Sequence, residues 1–109
     1  MTAPQRQDVE IDSDGDTLAA WFYPARTDAA TAPCVVMAHG FSMTRHDGLE
    51  EYAERFAAEG LNVLVFDHRY LGESGGEPRG RFRIGEQQED WRRAVDHARS
   101  RPGVDPARI

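Results

Sequence analysis

Polar and apolar residues alternate from Gln7 to Ile11, and a second strand-like run extends from Leu18 to Tyr23. Alternation of this kind marks a strand with one covered face. Asp14-Gly15 lies between the runs, a pair that tolerates the positive φ of a tight hairpin turn, so an antiparallel β-hairpin is predicted. Pro24 to Pro33 is a loop of Ala, Thr, Asp and Pro, after which Cys34-Val35-Val36-Met37-Ala38 is apolar at every position. Leu61 to Phe66 reads as a second strand of the fully buried type. Strands without alternation are covered on both faces, as in a parallel sheet flanked by helices.

Between these two strands Leu49, Tyr52, Ala53, Phe56 and Ala57 fall at i, i+3, i+4, i+7 and i+8, which predicts a helix. Asp47 with Glu50 reads as a capping box, Glu51 and Arg55 as an i,i+4 pair, and Gly60 as the left-handed C-terminal residue. A second helix follows a loop over Asp67 to Arg83. It carries Gln88, Trp91, Val95 and Ala98, with Ala94, on one face and ends near Arg101 before Pro102-Gly103. Val104 to Ile109 begins the approach to another strand. The order predicts an α/β fold in one domain over residues 1–109, an N-terminal antiparallel hairpin followed by parallel βαβα. Val35 to Ala38 is then an interior strand whose far neighbour is not supplied by these residues, and its bare apolar edge is a candidate surface for self-association.

Composition narrows the partners. The chain has 109 residues, 13 basic against 19 acidic, a net charge of -6 and a pI near 5.1. That field repels phosphate backbones and anionic headgroups, so neither nucleic acid nor a membrane surface is expected as a partner. Every basic residue is Arg, which excludes Schiff-base or lysine-nucleophile chemistry within these residues. Cys34 is the single cysteine and has no internal disulfide partner, which favours a reducing compartment. Met1 to Glu10 lacks the apolar stretch of a signal peptide, and no apolar run nears the roughly 18 residues of a membrane span. A cytoplasmic location is expected.

Two motifs carry most of the remaining information: Val36-Met37-Ala38-His39-Gly40-Phe41-Ser42 after the third strand, and Val65-Phe66-Asp67-His68-Arg69-Tyr70-Leu71-Gly72-Glu73-Ser74-Gly75-Gly76 after the fourth. With the order of elements, they resemble the α/β-hydrolase superfamily. The chain looks most like the branch of dienelactone-hydrolase-like and X-Pro-peptidase-like esterases, near polyketide-processing acyl transferases. The resemblance covers nearly the whole chain and implies a serine hydrolase acting on a small ester or related acyl substrate. It also implies that Asp90-Trp91-Arg92-Arg93-Ala94-Val95 lies on the helix before the fifth strand and that Asp105 to Ile109 leads into that strand. The family's nucleophile elbow Gly-x-Ser-x-Gly comes a few residues later, and its acid and catalytic histidine later still. The fold expected here is therefore a partial α/β-hydrolase fold, lacking the strand with the nucleophile elbow.

In this setting Phe41 is the candidate for an oxyanion-hole backbone N–H, with Gly40 allowing close backbone approach. The plainer reading is an ordinary turn with a polar end. His39 is read as structural, bonded to backbone near the strand end, since the family's catalytic histidine lies far C-terminal. Ser42, Asp67, His68 and Arg69 are candidates for a substrate-pocket wall, the last three at the strand edge where open α/β sheets place ligands. A loop-stiffening bond from Asp67 to Arg69, or from Arg69 to Ser74, is the plainer role. Gly72-Glu73-Ser74-Gly75-Gly76 matches Gly-x-Ser-x-Gly and also resembles the Gly-Asp-Ser-Gly-Gly of trypsin-like proteases. An elbow, however, needs strand, sharp turn and helix in succession, and Ser74 is followed by Gly, Gly, Glu, Pro and Arg. Ser74 is read as a hydroxyl bracing its loop.

No nucleotide-binding pattern accompanies the glycines, and His39, His46, His68 and His97 lack metal-ligand spacing, so neither cofactor nor metal is expected. His97 suits a solvated or helix-dipole role near a helix end. The chain alone is expected to be inactive, because an oxyanion donor without nucleophile and base cannot form an acyl-enzyme. Acyl transfer to another acceptor on the same fold, and a non-enzymatic α/β binding module, are the alternatives.

Overall fold

The computed structural model describes residues 6–40 and 43–109. Strands β1 (Gln7–Ser13) and β2 (Asp16–Tyr23) form the predicted hairpin, in register from Gln7 opposite Phe22 to Ser13 opposite Asp16. Asp14 and Gly15 turn it with φ of 51° and 89°. Two successive positive φ values match the right-handed twist of the strands they join. Then come β3 (Cys34–Met37), α1 (Leu49–Ala58), β4 (Asn62–Phe66) and α2 (Ile84–Ser100).

The sheet order is β1-β2-β4-β3, with β2 antiparallel and β3 parallel to β4. Helices cover both faces, which accounts for the apolar residues on both sides of β3 and β4. Val63 and Val65 of β4 face α1 through Ala53 and Ala57, beside Trp21 and Tyr23 of β2. Leu64 and Phe66 face the other way, onto Ala94 and Ala98 of α2, with Ala20, Phe22, Leu18 and Ile11. The outer strand β1 turns Asp8, Glu10 and Asp12 to solvent, a charged edge that resists pairing with other chains.

β3 lies at the other edge. Its far side receives the chain only at its lower end, through a parallel bridge between Ala32 and Val104 and a 3.0 Å bond from the Cys34 N–H to the Arg108 carbonyl. Among the described residues, Val35 to Met37 pair with β4 alone, and Val35, Val36 and Met37 are half-buried. Buried Asn62 fixes this end, accepting from the Ala25 N–H at 2.9 Å and donating to the Ala32 and Gly103 carbonyls at 3.2 and 2.9 Å.

Local details correct several expectations. The α1 N-cap is Gly48, with φ 91° and no side-chain cap, instead of an Asp47–Glu50 box. Asp47 turns back to accept from the Thr44 N–H at 2.7 Å, and Glu50 accepts from Arg6 at 2.9 Å. Arg55 pairs with Glu59 instead of Glu51. Tyr52 is 62% exposed, because α1 meets the sheet through Ala53 and Ala57, with Leu49 and Phe56 flanking them. The C-terminus of α1 closes as a Schellman turn. Gly60, φ 96°, donates to Ala57 O, and the Leu61 N–H donates to Phe56 O.

On α2 the buried positions are Asp90, Ala94 and Ala98, whereas Gln88 is exposed and Trp91 is 37% exposed, its ring edge-on to Phe66 at 5.0 Å. His97 is half-buried, and burial together with the adjacent Arg101 holds its pKa below the usual value. No helix among the described residues is long and apolar enough to cross a membrane.

Candidate functional site

Because β3 and β4 run parallel, with Met37 opposite Val65, the segments that leave them emerge at the same sheet edge. His39 and Gly40 follow β3 there, and Asp67, His68 and Arg69 follow β4. At this edge two carboxylates, Asp67 and Asp90, organise two separate networks.

Asp67 faces the segment between β3 and α1. Its carboxylate accepts from the Arg45 N–H at 2.7 Å, from the Arg45 guanidinium, and from the Glu73 N–H at 3.3 Å. Both side chains of the pair are at most 5% exposed. The guanidinium reaches onward to Glu73 at 2.8 Å and lies over the Trp21 ring at 4.4 Å. His46 adds a 3.1 Å contact to the same Glu73 oxygen, and the hydrogen bond from His46 and the charge of Arg45 hold the Glu73 carboxyl below its usual pKa. Gly72 makes the arrangement sterically feasible: at φ 55°, a Cβ there would stand 2.4 Å from Asp67 Oδ2.

Asp90 reaches the edge from α2, fully buried. It accepts from Ser13 Oγ at 2.7 Å, the Arg69 N–H at 2.8 Å and Arg69 Nε at 3.0 Å, with His68 Nδ1 at 3.5 Å. Burial raises its pKa, but the nearby His68 ring and the bonds from the Arg69 N–H, Ser13 and the Arg69 side chain outweigh that, and the carboxyl sits below its usual value. Ser13, Asp90 and His68 do not form a relay of the hydrolase type, because the hydroxyl and the imidazole both address the carboxylate instead of each other.

The bonds expected from Asp67 to Arg69 or from Arg69 to Ser74 are therefore replaced. Asp67 pairs with Arg45 and Arg69 with Asp90, since the two side chains leave β4 toward opposite layers. Asp67, His68 and Arg69 are all buried. Of the three, Arg69 lines a cleft of about 360 Å³, with Asp14, Gly85, Glu86, Glu89 and Arg93.

Ser74 is 2% exposed. Its Oγ donates to the Asp67 carbonyl at 2.6 Å and accepts from the Ala19 N–H at 2.8 Å, tying the loop to β2. Arg79 completes the loop, donating to the carbonyls of Ser74, Gly76 and Gly72 at 2.6, 3.1 and 2.8 Å.

His39 Nδ1 accepts from the Gly40 N–H at 3.0 Å. This places the ring proton on Nε2, which donates to the Asp47 carbonyl at 3.1 Å. The Gly40 N–H is thus already engaged. Phe41 and Ser42, the oxyanion and pocket candidates, lie outside the described residues. Among the described residues no group of acidic, His and Cys side chains is arranged to hold a metal ion.

Arg45, Ser13 and Asp90 were not singled out as site residues by sequence. Asp90 carries a signal: it stands four and eight residues before Ala94 and Ala98, on the face those small residues bury. Arg45, one of 13 arginines and in a loop without periodicity, carries none.

No family model matches the chain. It is 47% identical over 102 residues to the quorum-quenching protein AidA of Acinetobacter baumannii, covering 94% of this chain and 33% of that protein. It is 42% identical over 80 residues to the thiohydrolase aneE of Aspergillus aculeatus, covering 73% of this chain and 25% of that protein. The crystal structure of the α/β hydrolase GrgF from Penicillium superposes with a TM-score of 0.86 at 34% identity, over 93% of this chain and 34% of that one. GrgF is also described as a polyketide transferase. The chain spans about a third or less of the length of these relatives.

Proposed function

As the chain belongs to the α/β-hydrolase superfamily, near its polyketide-processing members, we propose that residues 1–109 are the leading part of one hydrolase domain that carries out nucleophilic acyl transfer. The observation that carries this reading is the shared edge. Parallel β3 and β4 deliver His39 and Gly40 and the Asp67 to Ser74 loop to the same end of the sheet. That end is where open α/β sheets bind ligands and where an oxyanion hole draws a backbone donor.

In this reading a serine beyond Ile109 gives its proton to a base, also outside these residues, and attacks the carbonyl carbon of an ester or thioester. The carbonyl electron pair moves onto oxygen, and the Phe41 N–H stabilises that charge. Collapse of the intermediate expels the alcohol or thiol, which takes the proton held by that base, and leaves an acyl-enzyme that water or another acceptor then resolves. Ser74 is not the nucleophile, because both hydrogen-bonding roles of its hydroxyl are committed to backbone. The names of the relatives, a thiohydrolase and a polyketide transferase, support an activated acyl group as substrate and leave either acceptor chemically open.

Purified 109-residue chain is expected to give no turnover of p-nitrophenyl acetate, and the full-length protein to turn it over. Turnover by the short chain, abolished by Ser74→Ala, contradicts the proposal.

A further inference from the structure

We infer that Arg45, acting through Asp67, is a positioning residue that sets where the segment between β3 and α1 stands relative to the sheet; the inference rests on the acyl-transfer reading above. That segment has bonds that give it shape: His39 Nε2 to the Asp47 carbonyl at 3.1 Å, the Met43 N–H to the Gly40 carbonyl at 3.2 Å, and the Thr44 N–H to Asp47 at 2.7 Å. All three join residues within 39–47 to one another.

Beside the edge-on contact of the His46 ring with Trp21 at 4.7 Å, the buried tie from these residues to the sheet is Arg45. Its N–H and its guanidinium both close on one buried carboxylate, so the backbone and the side-chain tip are registered to the same group. Asp67 is itself rigidly placed. It follows β4 directly, its N–H donates to Ala19 O at 2.9 Å, its carbonyl accepts from Ser74 at 2.6 Å, and Gly72 packs against its carboxylate without a Cβ. The Trp21 ring supports the guanidinium from the side. His46 also reaches across, to Glu73, but that pair is exposed and contributes little rigidity.

A planar fork fits this role better than an ammonium. It can hold Asp67 and Glu73 at once through different nitrogens, whereas lysine offers one point charge. Because a displacement of about 1 Å in a catalytic element can lower turnover by about a hundredfold, loosening this anchor should act on the reaction step and spare substrate binding.

The test uses the full-length protein with p-nitrophenyl acetate and measures kcat and KM separately for Arg45→Ala, Arg45→Lys and Glu73→Gln. The expected result is a fall in kcat of about a hundredfold for alanine, about tenfold for lysine and a few-fold for Glu73→Gln, each with KM within about twofold. Folding of each variant is checked by circular dichroism. Should Arg45→Ala not fold, Arg45→Lys and Glu73→Gln decide, since Glu73 is exposed and its exchange leaves the buried pair in place. Wild-type kcat in the folded variants, or an effect confined to KM, overturns the inference while leaving the acyl-transfer reading intact. No turnover by the wild-type full-length protein overturns that reading, and this inference with it.

Discussion

Arg69 holds Asp90 at two points, its backbone N–H 2.8 Å from one carboxylate oxygen and its Nε 3.0 Å from the other. The pair joins the end of β4 to the middle of α2, and Ser13 adds the end of β1 to the same carboxylate. Removing the acid strands three buried donors at once. Asp90→Ala is therefore expected to destabilise the protein by about 3–5 kcal/mol in urea unfolding. Asp96→Ala, on the exposed side of the same helix, should change stability by less than about 0.5 kcal/mol.

The same carboxyl makes a prediction in acid. Its folded pKa is below the ordinary value, so its contribution is fully present above about pH 4 and is lost as pH falls through the folded value. Stability measured between about pH 4 and pH 2 should fall less steeply in Asp90→Asn than in the wild type. Equal slopes would show that this carboxyl is not held below its usual value.

Gly72 and Gly85 should respond oppositely to alanine. A Cβ at Gly72 meets Asp67 at 2.4 Å in a left-handed backbone, whereas one at Gly85 meets nothing within 4 Å. Gly72→Ala should cost roughly 2–5 kcal/mol, and Gly85→Ala, in the first turn of α2, should stabilise by up to about 1 kcal/mol. Thermal melts of the two variants check the contrast.

Ser74→Ala removes one donor and one acceptor, leaving the Ala19 N–H and the Asp67 carbonyl without that partner. The expected cost is about 1–3 kcal/mol of stability, with kcat of the full-length protein kept at a temperature where the variant is folded. Loss of kcat from a folded variant would restore Ser74 as a nucleophile.

Burial pushes the Cys34 thiol up to about 11, so at pH 8 almost none of it is thiolate. Ellman's reagent should react with the native protein far more slowly than with protein unfolded in urea. Equal rates would mean that the lower end of β3 is open to solvent.

The elements were legible in the sequence wherever packing follows periodicity. The apolar runs at 34–38 and 63–66 declared a sheet covered on both faces, and Asp14-Gly15 declared its turn. Faces were less legible where charge was set aside as solvent-facing. Asp90 lies on the buried face of α2 and Trp91 outside it, because the small residues Ala94 and Ala98 govern how closely the helix meets the sheet. The pairings Arg45 to Asp67 and Arg69 to Asp90 were illegible, since each joins residues more than twenty apart through loops with no period to read.

If residues 1–109 shape an acyl-transfer site whose nucleophile lies C-terminal to them, as proposed above, active-site labelling will locate that serine. The full-length protein is treated with a fluorophosphonate and the modified peptide mapped by mass spectrometry. The expected result is one modified serine, C-terminal to Ile109, with labelling unaffected by Ser74→Ala in folded protein. Modification of Ser74 itself would contradict it.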